Sequence, residues 1–504
     1  MKDIRFFRVF LLVLILAVIF TIAYTSSQFD QISCMEVPVL SDADTPSLMQ
    51  KIDTNLSGYF FFKGEPAAVD WQTGTIYISQ KIDQNTRYQD LDGSLSLAYQ
   101  DFSLYFLPDP CFSDLQSAMA ANHPFRLLAV NPAGDYAEYN VIFTSFPIIN
   151  LTEDGTGNGD KLSPHSGKFC LWTSDDPEQP RYSVTTSLAK WHVRGMTSAS
   201  ISKKPWKLTL TNHQAPIKLS LLGLGKDDDW ILNPMNLDDT LLKEQLFMKL
   251  WNQLAAETYN YPMSSGEYVE VIINREYRGV YLMQRRIDQN YLELPTEGIL
   301  FKGINNSLQA TVQDTYELIY SPLDTEESYA LLDNIWNRDY SMYDVNNFID
   351  VNLFLHFAAA PDNAVYPKNM YYFFNPTASG YAVTLIPWDT DMSFGVVWED
   401  GFVYNYEDSI NRVTRRMEYR GMQELHPDLD DRMAARWQEL RNGVLSEENI
   451  LSVLSELEAS LLKNGASVRD SQKWGNYYGG SDTVNSLYRY IREKLPLMDA
   501  FYAQ

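Results

Sequence analysis

The stretch from Phe348 to Gly395 constrains the chain more than any other: FIDVNLFLHFAAAPDNAVYPKNMYYFFNPTASGYAVTLIPWDTDMSFG. Apolar residues recur on nearly every turn from Phe348 to Ala360, which suits a buried helix. Pro361 stops it, and Asp362 and Asn363 follow. A strand is expected over Met370–Phe374 with Asn369 at its mouth, then a turn over Asn375–Gly380. A second strand, Tyr381–Ile386, runs straight into Pro387-Trp388-Asp389-Thr390-Asp391. The order is helix, loop Asp and Asn, hairpin, then two Asp at a strand end. It gathers oxygen ligands at one end of a small sheet. Carboxylate and amide oxygens without a nearby Cys or His pair suit a hard cation such as Mg²⁺.

A protein kinase has the same logical order: a loop Asp that accepts the substrate proton, a metal-binding Asn, and a hairpin leading to a metal-binding Asp before Phe-Gly. Here the step from Asp362 to Asn369 is two residues longer than the kinase spacing, and the final motif is Asp389-x-Asp391-x-x-Phe394-Gly395. The pattern is kinase-like in order and not in letters. The plainer alternative makes Asp362 a helix stop and Asp389 and Asp391 turn residues.

Composition narrows the classes. A net charge of −25 disfavours nucleic acid or an anionic membrane surface as main partner, and allows a basic protein or peptide substrate. Aromatics at 13% argue against disorder. Three Cys (Cys34, Cys111, Cys170) are too few and scattered for a disulfide scaffold, and six His without HxxxH or HExxH spacing offer no zinc site. Lys2, Arg5 and Arg8 precede an unbroken apolar run, Val9–Ala23, without a clean small-residue cleavage site. An uncleaved signal-anchor over residues 1–24 is expected, a cleaved signal peptide being the alternative. The positive residues put the N-terminus in the cytoplasm and the bulk outside.

Residues 25–45 read as a linker and 46–138 as a β-rich accessory module of short aromatic strands such as Gly74–Ile78. The glycine-rich Asp154–Gly159 lacks the Lys-Ser/Thr and helix of a phosphate loop and reads as a surface turn. A strand then ends at Arg194-Gly195, small hydroxyl residues follow, and Lys203, Lys204 and Lys207 enter the next strand. Small residues let backbone amides approach phosphate, with the lysines as counter-charge; a solvated hairpin with snorkelling lysines fits equally. Asp227-Asp228-Asp229 is a cation site or a solvated turn. A helix is expected to start near Asp238-Asp239-Thr240 and run to about Leu254, carrying Lys243 and Glu244. A hairpin follows over Glu267–Met283, and its end at Gln284-Arg285-Arg286 is where a purine would lie in a kinase. From about Asp428 the chain is helical.

Together these pieces resemble the CotH family, the spore-coat protein H-like divergent kinases. They are Arg194-Gly195 with Thr197-Ser198; Lys203-Lys204-Pro205-Trp206-Lys207; Leu221–Leu224 with Lys226-Asp227 and Asp229-Trp230; Asn274 with Tyr277; Gly279-Val280-Tyr281-Leu282; Asp362 with Asn369; and Pro387-Trp388-Asp389 with Asp391 and Phe394-Gly395. The resemblance spans roughly residues 140–500. It implies an α+β, divergent two-lobed protein-kinase-like fold behind the β-rich module and membrane segment, with an N-lobe over 139–290 and a mostly helical C-lobe over 291–504. It also implies ATP- and Mg²⁺- (or Mn²⁺-) dependent phosphorylation of protein Ser or Thr, outside the bacterial cytoplasm on the membrane, in secreted form, or on spore coats. Carried over, Asp362 is the catalytic Asp. Asn369, Asp389 and Asp391 hold metal. The nucleotide-phosphate lysine is among Lys203, Lys204 and Lys207, with Lys207 favoured inside its strand, and Arg194 braces the phosphate loop or a carboxylate. The chain departs from the family at Gln284-Arg285-Arg286, around Lys243-Glu244, and at Phe357–Ala360 before Asp362.

Two readings follow. One is an extracytoplasmic protein kinase. The other is a catalytically silent relative that binds or builds in the envelope or spore coat. A glycosidase is disfavoured, because Asp389 and Asp391 at period two are too close for a water-spaced pair.

Overall fold

The computed structural model describes residues 50–53, 55–80, 95–99, 101–107, 115–174, 183–195, 198–212, 215–305, 307, 309–364, 367–397, 401–402, 417–476 and 482–503. The expected N-terminal anchor, Cys34, Cys111 and Thr197 lie outside these residues. Among those described, no helix is long and apolar enough to cross a membrane. The protein is α+β, as expected, with three principal β layers and helices gathered towards the C-terminus.

The first layer is a five-stranded sheet in the order Ala68–Asp70, Thr75–Ser79, Tyr136–Thr144, Phe125–Val130, Ser103–Phe106. The boundary expected between residues 138 and 139 falls inside Tyr136–Thr144, which pairs on both sides within this sheet. The module therefore runs on to Thr144, and the turn at Ser145–Pro147 separates it from the next layer. Its core includes Ile148, Trp172, Ile272 and Tyr277 from that layer, and Tyr77 stacks on Tyr277 with ring centroids 4.6 Å apart.

The second layer is a closed seven-stranded barrel. Around it stand His165–Thr173, Ser183–Val193, Trp206–Thr211, Asp229–Asn233, Glu276–Arg285, Gly266–Ile273 and Ile148–Glu153. Period-two alternation decides which side chains fill it. Trp206, Leu208 and Leu210 point inward with Trp191, Trp230 and Leu232, while Lys207 and Thr209 point outward. The interior is packed with side chains, as a small barrel requires.

The third layer is an antiparallel sheet in the order Tyr316–Tyr320, Ile299–Gly303, Met370–Thr377, Gly380–Pro387. It packs in one core with the helices Lys243–Glu257, Val345–Ala358, Leu429–Arg441, Glu447–Leu462 and Val484–Tyr502. The buried helix expected through Phe348–Ala360 forms over Val345–Ala358, where Asp344 caps it by accepting from the Asn346 and Asn347 amides. The helix expected near Asp238 begins at Lys243 instead. Asp238 serves it from a distance, Oδ2 accepting the Lys243 amide at 2.7 Å and Oδ1 accepting from Thr240.

Between the layers lies the short helix Ala466–Trp474. Asp470 accepts the Val280 amide at 2.8 Å, and Trp474 donates to the Arg278 carbonyl. This explains Gly279 in Gly279-Val280-Tyr281-Leu282. A Cβ there would sit 2.2 Å from Asp470 Oδ1, and its φ of +92° is the left-handed region that glycine tolerates. Arg469 makes two bonds to the buried Glu270, at 2.8 and 3.0 Å, and a third to Asn122 of the first layer at 2.9 Å.

Candidate active site

The hairpin places Asn369 and Trp388 side by side, because Met370 pairs with Pro387 at its mouth. The Trp388 amide donates to the Asn369 carbonyl at 3.1 Å. Asn363 then ties in the preceding loop, donating from its side chain to the carbonyls of Asn369 (3.1 Å) and Trp388 (2.7 Å). This seam carries Asp362 to Asn369, whose Nδ2 donates to Asp362 Oδ2 at 2.6 Å. Lys368 Nζ stands 3.4 Å from the same oxygen.

Backbone conformation at the mouth is unusual. Asn369, Asp389 and Phe394 have φ of +59°, +57° and +50°. Such conformations persist where surroundings over-determine them, and they cluster at functional sites. Here Phe394 is held by its amide bond to the Ala358 carbonyl and by edge contacts with Phe357 and Tyr490.

Beyond the hairpin, Asp389 and Asp391 meet Glu244 from the first turn of Lys243–Glu257. One oxygen from each of the three lies within 4.8 Å of the others. Glu244 is buried and receives hydrogen bonds of 2.9 Å from both Asn233 and Gln284. Desolvation, then the charge of Asp389, pushes its carboxyl up to about 8. Desolvation also raises the Asp391 carboxyl well above the carboxylate range, reinforced by Asp389, Glu244, Asp238 and Asp362. Three carboxyls crowded at this range repel one another, and a divalent cation relieves that repulsion. All-oxygen donors fit Mg²⁺ or Mn²⁺. Among the described residues this is the group of acids close enough to hold an ion. Asp227 is instead paired with Arg285 at 2.9 Å, and Asp229 with Lys207 at 2.7 Å.

Positive charge lines the other wall. Lys302 projects from Ile299–Gly303, opposite Tyr371, with Nζ 5.1 Å from the Trp388 ring centroid and 5.4 Å from that of Tyr371. Desolvation, then the charge of Arg194, lowers its ammonium to about 8, with Asp389 acting in the opposite sense. The Arg194 charge also acts on Glu244, and that of Arg286 on Lys302.

The four acids and amides singled out in the sequence, Asp362, Asn369, Asp389 and Asp391, thus converge. The lysine cluster separates. Lys203 is buried in an ion pair with Asp470, Lys204 donates to the Ala199 carbonyl at 2.8 Å, and Lys207 meets Asp229 on the outer barrel face. Glu244 and Lys302 are additions. Glu244 is one of two charged residues that open their helix. A charge inside Ile299-Leu-Phe-Lys-Gly303 was the available signal.

A family model described as CotH kinase protein matches residues 191–498, well over half of the chain and all of this site. The chain belongs to the CotH family. The CotH segment takes in four of the seven barrel strands whole and the end of a fifth, Ser183–Val193, since Ile148–Glu153 and His165–Thr173 precede it. The CotH match ends within the last helix, after every residue of the site. No curated protein matches the chain.

Proposed function

We propose that this CotH protein is a kinase that transfers the γ-phosphoryl group of ATP to Ser or Thr hydroxyls of envelope or spore-coat proteins, outside the cytoplasm. In this reading the barrel and the helical layer are the two lobes of a divergent kinase fold. The observation that carries it is the meeting of Glu244, Asp389 and Asp391 beside the Asp362–Asn369 pair. Glu244, Asp389 and Asp391 would hold a divalent cation, which supplies charge neutralisation for the phosphates. Lys302 and Arg194 bind phosphate oxygens from the opposite wall. Asp362 receives the proton of the attacking hydroxyl, and Asn369 fixes the carboxylate orientation. Catalysis of this kind is positioning plus electrostatic stabilisation. The apolar, positively flanked N-terminus supports residence outside the cytoplasm, held by that segment or released from it.

A second reading, a silent binding protein of the envelope, draws on one observation. Glu244 accepts from Asn233 and Gln284, where an active kinase pairs its helix Glu with a strand lysine. One experiment separates the two. The full chain is incubated with ATP and Mn²⁺ and with Ser-rich peptide, and both melting temperature and phosphate incorporation are followed. The kinase reading expects stabilisation and incorporation, both lost in Asp389→Ala. Stabilisation without incorporation selects the silent reading.

A further inference from the structure

Two lysines of the barrel side are enclosed in protein. Lys203, in the loop joining Ser183–Val193 to Trp206–Thr211, is 4% exposed, and Lys243, which opens the helix of Glu244, is 0% exposed. Both reach the same C-terminal stretch. Lys203 Nζ stands 2.8 and 3.0 Å from the two oxygens of Asp470. Lys243 Nζ bonds Asp482 and lies 3.1 Å from Asp238. Backbone contacts repeat the connection, the Val280 amide on Asp470 and the Asp239 amide on Asp482 at 3.1 Å.

Enclosed ion pairs are poor stabilisers, since desolvation offsets their attraction, but they hold geometry, because moving one partner strands the other. What these two hold is specific. Lys203 is in the loop after Arg194. Its carbonyl accepts from Asn236, and the neighbouring Lys204 carbonyl accepts from Tyr281. Lys243 and Glu244 are adjacent on a helix, so their side chains diverge by about 100°. With Lys243 fixed to Asp482, rotation of the helix is blocked and Glu244 stays turned to Asp389 and Asp391.

We propose that Lys203–Asp470 and Lys243–Asp482 form a brace, in which positioning residues hold residues 198–204 for the nucleotide and Glu244 for the metal. It rests on the kinase reading above. The test uses the full chain, with Mn²⁺ and ATP affinities measured separately by calorimetry. Lys243→Met is expected to weaken Mn²⁺ by about 10–100-fold, as loss of a ligand's support does. Lys203→Met is expected to weaken ATP by on the order of tenfold while leaving Mn²⁺ unchanged. Lys494→Met, which removes an equally enclosed lysine in the last helix, controls for the loss of any enclosed lysine and should change neither. Where a Met variant fails to fold, Asp482→Asn and Asp470→Asn keep the side-chain shape and should show the same split. Wild-type affinities retained in folded variants, or equal losses in Lys494→Met, overturn the brace alone. A wild type that binds neither Mn²⁺ nor ATP removes the kinase reading, and the brace with it.

Discussion

Asn369 Nδ2 donates to Asp362 Oδ2 at 2.6 Å, across a loop that Asn363 holds closed from beneath. An amide in that position fixes one carboxylate oxygen and leaves the other for an incoming hydroxyl. Asp362→Asn removes the proton acceptor and is expected to lower kcat by about 10²–10⁴-fold with ATP affinity kept. Asn369→Ala should lower kcat less, and should lower the melting temperature, because alanine tolerates the φ of +59° less well than asparagine. Steady-state kinetics beside thermal melting checks both.

Glu244 holds its proton up to about pH 8, because burial and Asp389 disfavour its charge. A cation must displace that proton, so Mn²⁺ affinity should rise as pH approaches 8 and level off above it. Glu244→Gln should weaken Mn²⁺ and flatten the profile. Calorimetric titration between pH 6 and pH 9, roughly spanning the shifted value, measures this.

Lys302 gives up hydration to hold its ammonium near Trp388, with the Asp389 charge in its favour. Lys302→Met should bind ATP at least about tenfold more weakly, a loss of about 1.4 kcal/mol. Its metal-free stability should equal or exceed wild type, since an enclosed charge is gone. Binding titration and melting of the same sample separate the two effects.

Lys494 is enclosed in the last helix, and desolvation lowers its ammonium from 10.5 to about 7. Between these values the unfolded chain binds the proton and the folded chain does not, so stability rises with pH across that window. The slope contributed is on the order of 1.4 kcal/mol per pH unit. Lys494→Met removes it. The variant should be more stable than wild type near pH 7, and its advantage should shrink towards pH 10, as urea melts across that range would show.

Gly279→Ala forces a Cβ against Asp470 Oδ1 at a φ of +92°. The backbone alone costs about 1–3 kcal/mol, and displacement of Asp470 also releases the Val280 amide and Lys203. A lowered melting temperature with a weakened ATP response is expected. Calorimetric scanning with and without ATP reads both.

The hairpin and its acids were legible in the sequence because they are local. Strand pattern, turn and oxygen ligands all lie within Asn369–Asp391. Barrel strands such as Trp206–Thr211 were legible for the same reason, though their closure was not. Lys203 was misread as a free counter-charge because Asp470 lies far along the chain. Glu244 and Lys302 were missed because their meaning comes from hairpin residues that reach them only in the folded chain. Residues 138 and 139 lie within the one strand Tyr136–Thr144, whose aromatic alternation matches that of the strands on either side of it.

Arg469 touches both Glu270 of the barrel and Asn122, in the turn leading into the Phe125–Val130 strand of the first sheet, from a helix near the other end of the sequence. Order along the chain is therefore a poor guide to where it can be divided. Shortening it before Ala466 would expose the Glu270 carboxylate and unseat the first sheet together, and trimming the first sheet would bare the Tyr277 side of the barrel. A fragment cut to the family's matched span would lose two barrel staves and most of a third, and arrive with an open wall.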